Sequence, residues 1–82
     1  MQLCRVVGST VATVKAPGLA SYKLLNVRPE KAGNEEFVAV DAVGAGVGDL
    51  VLVATGSAVR ELDGLRGVAA DAAIVAIVDE TP

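Results

Sequence analysis

The segment FVAVDAVGAGVGD, residues 37–49, decides the fold of this chain. A β-branched run leads into three glycines at alternate positions, Gly44, Gly46 and Gly48, and then into Asp49. Glycine lets the backbone take a positive φ or approach a neighbour closely, because it has no Cβ. A second apolar run, residues 50–54, follows directly, so the glycines are predicted to form a tight turn between two strands. Such a turn could cradle a phosphate, or several copies of the chain could meet there around an axis.

The composition favours a single small domain over residues 1–82 that is marginally stable alone. Hydrophobic residues make up 52% of the chain and the mean hydropathy is +0.55, which is high for a small soluble monomer. Cys4 is the only cysteine, so a disulfide within the chain is excluded and Cys4 is predicted to be a small buried hydrophobe. The excess of apolar surface therefore needs cover from outside the monomer.

Several function classes are disfavoured by what the sequence lacks. It has no histidine, the commonest general base and metal ligand, so we expect no catalytic residue, cofactor or metal site. Its net charge is −3 and its only aromatic residues are Tyr22 and Phe37, whereas nucleic-acid binders use a basic field and stacking aromatics. No signal peptide or bilayer-spanning run is visible, so a cytoplasmic protein without a membrane partner is predicted.

Five strands and one short helix are predicted along the chain. Gly8 lies inside the first strand and indicates a bulge or bend, as expected where a small barrel turns a corner. The short helix is predicted over residues 57–62, with Ser57 as its capping residue. The strands are predicted over residues 3–13, 23–28, 36–42, 50–54 and 74–79.

The later strands are apolar on both faces. In the fourth strand Val51 and Val53 point one way, and Leu50 and Leu52 point the other way. Such strands are usually covered on both sides by helices, but this chain has no helix long enough to cover a sheet. The pattern therefore predicts an all-β fold, a small closed barrel whose inner face fills the interior. Part of the outer face is then predicted to pack on a neighbouring copy.

The glycine motif is a poor match to phosphate-binding loops. A dinucleotide fingerprint needs a helix after the glycines, and here a strand is predicted to follow. A P-loop also needs a lysine after its last glycine, whereas Gly48 is followed by Asp49. A tight β-turn is favoured over any ligand site, and a position of this turn close to a symmetry axis is compatible with it.

The acids around this turn are predicted to have structural roles. Asp41 and Asp49 bracket the glycines, but no histidine or third ligand accompanies them, so capping or solvated carboxylates are favoured over acid–base or cation-binding ones. Asp79 is the last residue of the fifth predicted strand and is expected to cap it or to pair with Arg60 or Lys23.

The chain resembles the EutN/CcmL family of bacterial microcompartment vertex proteins. The pieces that carry this resemblance are modest singly, but their order and spacing together are specific. They are residues 6–15, 19, 23–27, 39–49, 51–53, 56–60 and 71–79.

The resemblance implies a five-stranded, OB-like β-barrel that assembles as a cyclic homopentamer. Such pentamers occupy the vertices of an icosahedral protein shell whose facets are tiled by hexameric shell proteins. The shell, of the metabolosome or carboxysome type, encloses an enzyme pathway, and the vertex protein itself is not an enzyme. The alternative is a stand-alone OB-like barrel that binds a small ligand or an oligonucleotide.

Two sets of site residues follow from these interpretations. The first set is predicted to crowd the fivefold axis and narrow the central opening, and consists of Gly44, Ala45, Gly46, Val47 and Gly48. The second set is predicted to lie at the subunit interface, where Arg60 pairs with one of the acids, and consists of Asp49, Arg60, Asp79 and Lys23.

Overall fold

The structure is a computed structural model that describes residues 1–13, 18–19, 22–31, 35–62, 65–66, 68 and 70–79. The first predicted strand ends early, at Thr10, because β2 begins at Lys23 and leaves residues 11–13 without a pairing partner. The last predicted strand begins two residues early, at Ala72, because Ala72 pairs with Thr55 of the neighbouring strand. The elements are β1 (Gln2–Thr10), β2 (Lys23–Pro29), β3 (Phe37–Asp41), β4 (Leu50–Thr55), a 3-10 helix (Ser57–Glu61) and β5 (Ala72–Ile77).

The five strands form a closed barrel in the order β1-β2-β3-β5-β4. The β3–β5 pair is parallel, whereas the other neighbouring strands in the barrel are antiparallel. This arrangement agrees with the Greek-key barrel of OB-folds, so the predicted fold class is confirmed. The pairing of β1 with β2 shifts register between Val6 and Gly8, which confirms the bulge expected at Gly8.

One face of each strand fills the barrel interior. In β4, Val51 and Val53 are fully buried there, and Ile74 of β5 packs with them. Leu50 and Leu52 alternate with these valines on the outside and are only partly buried. The alternation that predicted a filled barrel is therefore confirmed.

Cys4 of β1 belongs to this interior cluster and has no exposed surface. Burial raises the pKa of its thiol, and the nearby Glu30 carboxylate adds to the rise. A thiol that stays protonated and shielded is a poor nucleophile, so Cys4 serves as the small core hydrophobe that was predicted.

A second apolar cluster covers the outside of β3 and β5. Val40 and Ala73 point away from the barrel interior, and buried Val59, Leu65 and Val68 pack over them. Val59 comes from the 3-10 helix, and the other two come from the segment that leads to β5. The chain therefore covers part of its own outer face, and only the remaining part is available to a neighbouring copy.

The predicted cap of the short helix is wrong. Gly56, with φ +86°, precedes the first turn, and no side chain caps the helix. The Val59 N–H donates to the Gly56 carbonyl at 3.2 Å instead. A 3-10 turn of five residues closes by backbone bonds alone, so the Ser57 hydroxyl is not needed there.

Candidate functional site

Asp41, the last residue of β3, anchors the segment that we call the glycine loop (residues 42–49). Its Oδ1 accepts the backbone N–H groups of Val43, Gly44 and Ala45, each at 3.1 Å. Lys23 of β2 donates from Nζ to the Ala45 carbonyl at 2.7 Å and lies 3.5 Å from Asp41 Oδ2. The Asp41 side chain is only 2% exposed, so its charge is matched by the lysine and by oriented backbone groups. The first half of the loop is thereby fixed to the barrel.

Asp49 and β1 fix the second half of the loop. Asp49 Oδ2 accepts the Gly46 N–H at 2.9 Å, and the Asp49 N–H donates to the Gly46 carbonyl at 3.0 Å. Val6 of β1 extends this attachment through two backbone hydrogen bonds of 2.9 Å. Its carbonyl accepts the Gly48 N–H, and its N–H donates to the Asp49 backbone carbonyl. Asp41 and Asp49 therefore both cap loop backbone groups, as predicted.

The backbone conformation requires glycine at two of the three glycine positions in the loop. Gly44 and Gly48 have φ values of +82° and +95°, which side chains with a Cβ rarely adopt. Gly46 does not have a positive φ, and a Cβ built on it would meet no atom within 4 Å. A single copy of the chain therefore gives no reason for glycine at position 46.

The two residues between the glycines point in opposite directions. Ala45 is fully buried, and its methyl group packs in the interior cluster of the barrel. The prediction that Ala45 lines a central opening is therefore wrong. Val47 is 67% exposed at the tip of the loop. The exposed surface of the loop therefore includes Val47 and Gly48 at its tip and residues 42–44 at its start.

The predicted interface residues are not brought together within one copy. Arg60 lies in the 3-10 helix and Asp79 follows β5, and both are exposed. Lys23 pairs with Asp41 rather than with Asp79, which corrects that expectation. In the described part of the chain no ion pair involves Arg60 or Asp79.

Arg5 contributes to this site, although the sequence analysis did not include it. It lies on β1 and donates from Nη1 to the Gly48 carbonyl at 3.1 Å. Its Nη2 also forms an ion pair with Glu30 at 3.0 Å. Arg5 and Gly48 are 43 positions apart in the sequence, so no local pattern indicates this contact, which arises only when the barrel closes.

The described residues contain no group of three or more His, Cys, Asp or Glu side chains placed to hold a metal ion. No helix among them is long and apolar enough to cross a membrane. What the geometry does provide is a rigid loop at one end of a filled barrel, with an exposed apolar tip. That arrangement is suited to contact with another protein.

Fold and loop together define a small closed five-stranded β-barrel with an anchored glycine loop. Residues 1–79 match the family model described as ethanolamine utilisation protein EutN/carboxysome, and the chain belongs to this EutN/CcmL family. It is 46% identical over 87 aligned positions to the bacterial microcompartment shell vertex protein PduN of Salmonella typhimurium, an alignment that covers 96% of each chain.

Solved structures agree with this assignment. CcmL of Nostoc sp. PCC 7120 has 42% identity and a TM-score of 0.85, with 99% of this chain and 92% of that chain covered. That protein is a carboxysome shell vertex protein. The pentameric microcompartment shell protein GrpN of Rhodospirillum rubrum has 37% identity and a TM-score of 0.81, with coverage of 100% and 98%. The predicted class, a structural shell vertex protein rather than an enzyme, is confirmed.

Proposed function

We propose that five copies of this chain form a ring that caps the vertices of a bacterial microcompartment shell. The pentameric relative GrpN supports this, because it matches the whole of this chain at 37% identity. A cyclic ring uses two different surfaces of each copy, and its closure needs no further partner. The single domain of residues 1–82 would then be one fifth of a vertex in the cytoplasm.

The observation that carries the proposal is the unexplained glycine at position 46. Gly46 has ordinary φ and open space around it in one copy, yet it sits between two glycines that the backbone requires. Five loops that converge on an axis give a reason, since their backbones can approach closely only without side chains. The proposed lining is then Gly44, Gly46, Val47 and Gly48, with Ala45 as the anchor in the core.

The proposed role also includes contact with hexameric shell proteins that form the facets. A vertex that caps a closed shell must meet the facets on its outer rim, away from the fivefold axis. The names of the relatives, which place them at vertices of shells, support this role. The ligand-binding alternative is less well supported, because the relatives are named shell vertex proteins and the net charge of −3 is unfavourable for an oligonucleotide.

The mass of the native assembly tests the proposal directly. Native mass spectrometry of the purified chain is expected to give a mass of five copies, and mixing with hexameric shell proteins is expected to give closed shells. A monomer that persists at high concentration would contradict the ring and leave the outer apolar residues without cover.

Arg60→Ala is expected to weaken the ring. Within one copy Asp49 already caps Gly46, so the exposed Asp79 is the better partner for Arg60 across the interface. Losing one such pair at each of five interfaces should raise the concentration at which the ring dissociates by roughly tenfold, since partly buried ion pairs are worth about 1 kcal/mol or more. Native mass spectra over a dilution series measure this.

The control is Arg28→Ala, which removes an exposed pair with Glu36 inside one copy and should leave the ring unchanged. Asp79→Asn should reproduce the effect of Arg60→Ala, and the double variant should lose little more than either single variant. Equal stability of Arg60→Ala and the parent ring on dilution would exclude the pair.

A further inference from the structure

An apolar surface on the outside of β1, β4 and β5 is only partly covered by the residues that the structure describes. The register places Leu3 opposite Leu52, and Leu52 opposite Ala76, in one row across the three strands. The Val78 N–H donates to the Leu50 carbonyl at 2.8 Å, which adds a second row beside the first. We call this surface the outer apolar face, and its members are Leu3, Leu50, Leu52, Ala76 and Val78.

These five residues point away from the barrel interior, and each is only partly buried. Their strand neighbours Cys4, Val51 and Val53 are the ones that fill the interior. The second cluster, around Val40 and Ala73, covers a different part of the barrel surface and includes none of the five. The outer apolar face therefore belongs to neither of the two clusters among the described residues, and it stays partly exposed.

We propose that the outer apolar face is where the next copy of this chain packs in the ring. This inference rests on the proposed pentamer and deepens it by naming the surface that holds the copies together. A ring contact is heterologous, so the face would meet a different surface of the neighbouring copy. Burying a row of leucines there supplies the cover that a chain of this composition needs.

The position of the face supports a second copy as its occupant. Leu50 directly follows Asp49, the last residue of the glycine loop, so the face begins where that loop ends. If the loops converge on the axis, the face lies next to the axis, where neighbouring copies are closest. Asp79 directly follows Val78 at the edge of the face, which places this acid where a charge pair with the neighbour is expected.

The chemistry of the face also favours a second copy over a separate shell protein. Interfaces between permanently associated copies are more apolar than those between proteins that also exist apart. The five members include no polar or charged side chain. Arg5, which pairs in register with Leu50, reaches instead to the Gly48 carbonyl and to Glu30.

The test compares Leu52→Asn with Val38→Asn. Val38 is a matched control because it is 44% exposed on the outside of β3, outside the face. Leu52→Asn is expected to raise the concentration at which the ring dissociates by about 10- to 100-fold, because a buried leucine is lost at each interface. Val38→Asn is expected to change it less than about threefold. Native mass spectrometry on dilution measures both, and circular dichroism checks that each variant is folded.

Each outcome decides the inference separately from the proposed function. A parent chain that forms no ring contradicts the proposed function itself. A parent ring that Leu52→Asn leaves intact, or that Val38→Asn weakens equally, overturns the inference alone. An intact Leu52→Asn ring that fails to join hexameric shell proteins also overturns the inference, because the outer apolar face would then be the surface that contacts the hexamers. Should Leu52→Asn not fold, Leu3→Gln, in the same row, is judged by the same criteria.

Discussion

Replacing Asp41 with alanine is expected to lower the free energy of unfolding by about 3 kcal/mol or more. The substitution removes the acceptor of three loop N–H groups and the partner of Lys23. Ala45, which one of those bonds holds, is buried, so its N–H would lose its partner where water has little access. Urea unfolding followed by circular dichroism, at one fixed chain concentration, measures the loss.

Asp41→Asn is the matched control for this prediction. Its amide oxygen can accept the same three N–H groups, but it no longer attracts the Lys23 ammonium 3.5 Å away. It should therefore lose clearly less stability than Asp41→Ala. Lys23→Met, which keeps an apolar stem but removes the donor to Ala45, should also lose less. If the free energy of unfolding of Asp41→Ala lies within about 0.5 kcal/mol of that of the parent chain, the carboxylate does not hold the loop.

Replacing Gly46 with valine is expected to prevent ring formation while leaving the single copy folded. A Cβ at this position meets no atom within 4 Å in its own chain, and the backbone there does not require a positive φ. Any large effect on assembly must therefore come from other copies, whose loops would be crowded by five added isopropyl groups. Native mass spectrometry should show monomers or an incomplete ring, and circular dichroism should match the parent chain.

Gly46→Ala is the graded control, since one methyl group per copy should weaken the ring less than valine does. Gly44→Ala tests a different cause, because the φ of +82° at that position strains any residue with a Cβ inside the single copy. It should lower the unfolding free energy, by about 1 kcal/mol. A normal pentamer of Gly46→Val would rule out the placement of this loop at the axis.

Much of the barrel could be predicted from local pattern. The alternation of Val51 and Val53 with Leu50 and Leu52, without helices to cover both faces, left a closed barrel as the economical fold. The capping roles of Asp41 and Asp49 were also predictable, because acids beside glycine turns have unpaired backbone N–H groups within reach. The Ser57 cap failed because a glycine with positive φ replaced it at the helix start.

Contacts between distant parts of the chain could not be predicted in this way. Arg5 reaches Gly48 only because β1 pairs with β4 at the point where the glycine loop ends. The cover of Val40 and Ala73 by Val59 and Leu65 likewise depends on where the chain crosses the outside of the barrel. Neither contact has a local sequence signal, since both depend on barrel closure.

The sequence by itself determined the strands, the turn glycines, the absence of histidine chemistry and the family, because each depends on neighbouring residue types and their spacing. Only the tertiary structure decided which outward-facing apolar residues are buried by the chain itself and which stay partly exposed. Val40 and Leu52 both lie on outward faces, but closure of the barrel brings the 3-10 helix over Val40, whereas among the described residues Leu52 joins neither cluster and stays partly exposed. Burial depends on the whole chain in space, and so the surface available to another copy became visible only in the folded barrel.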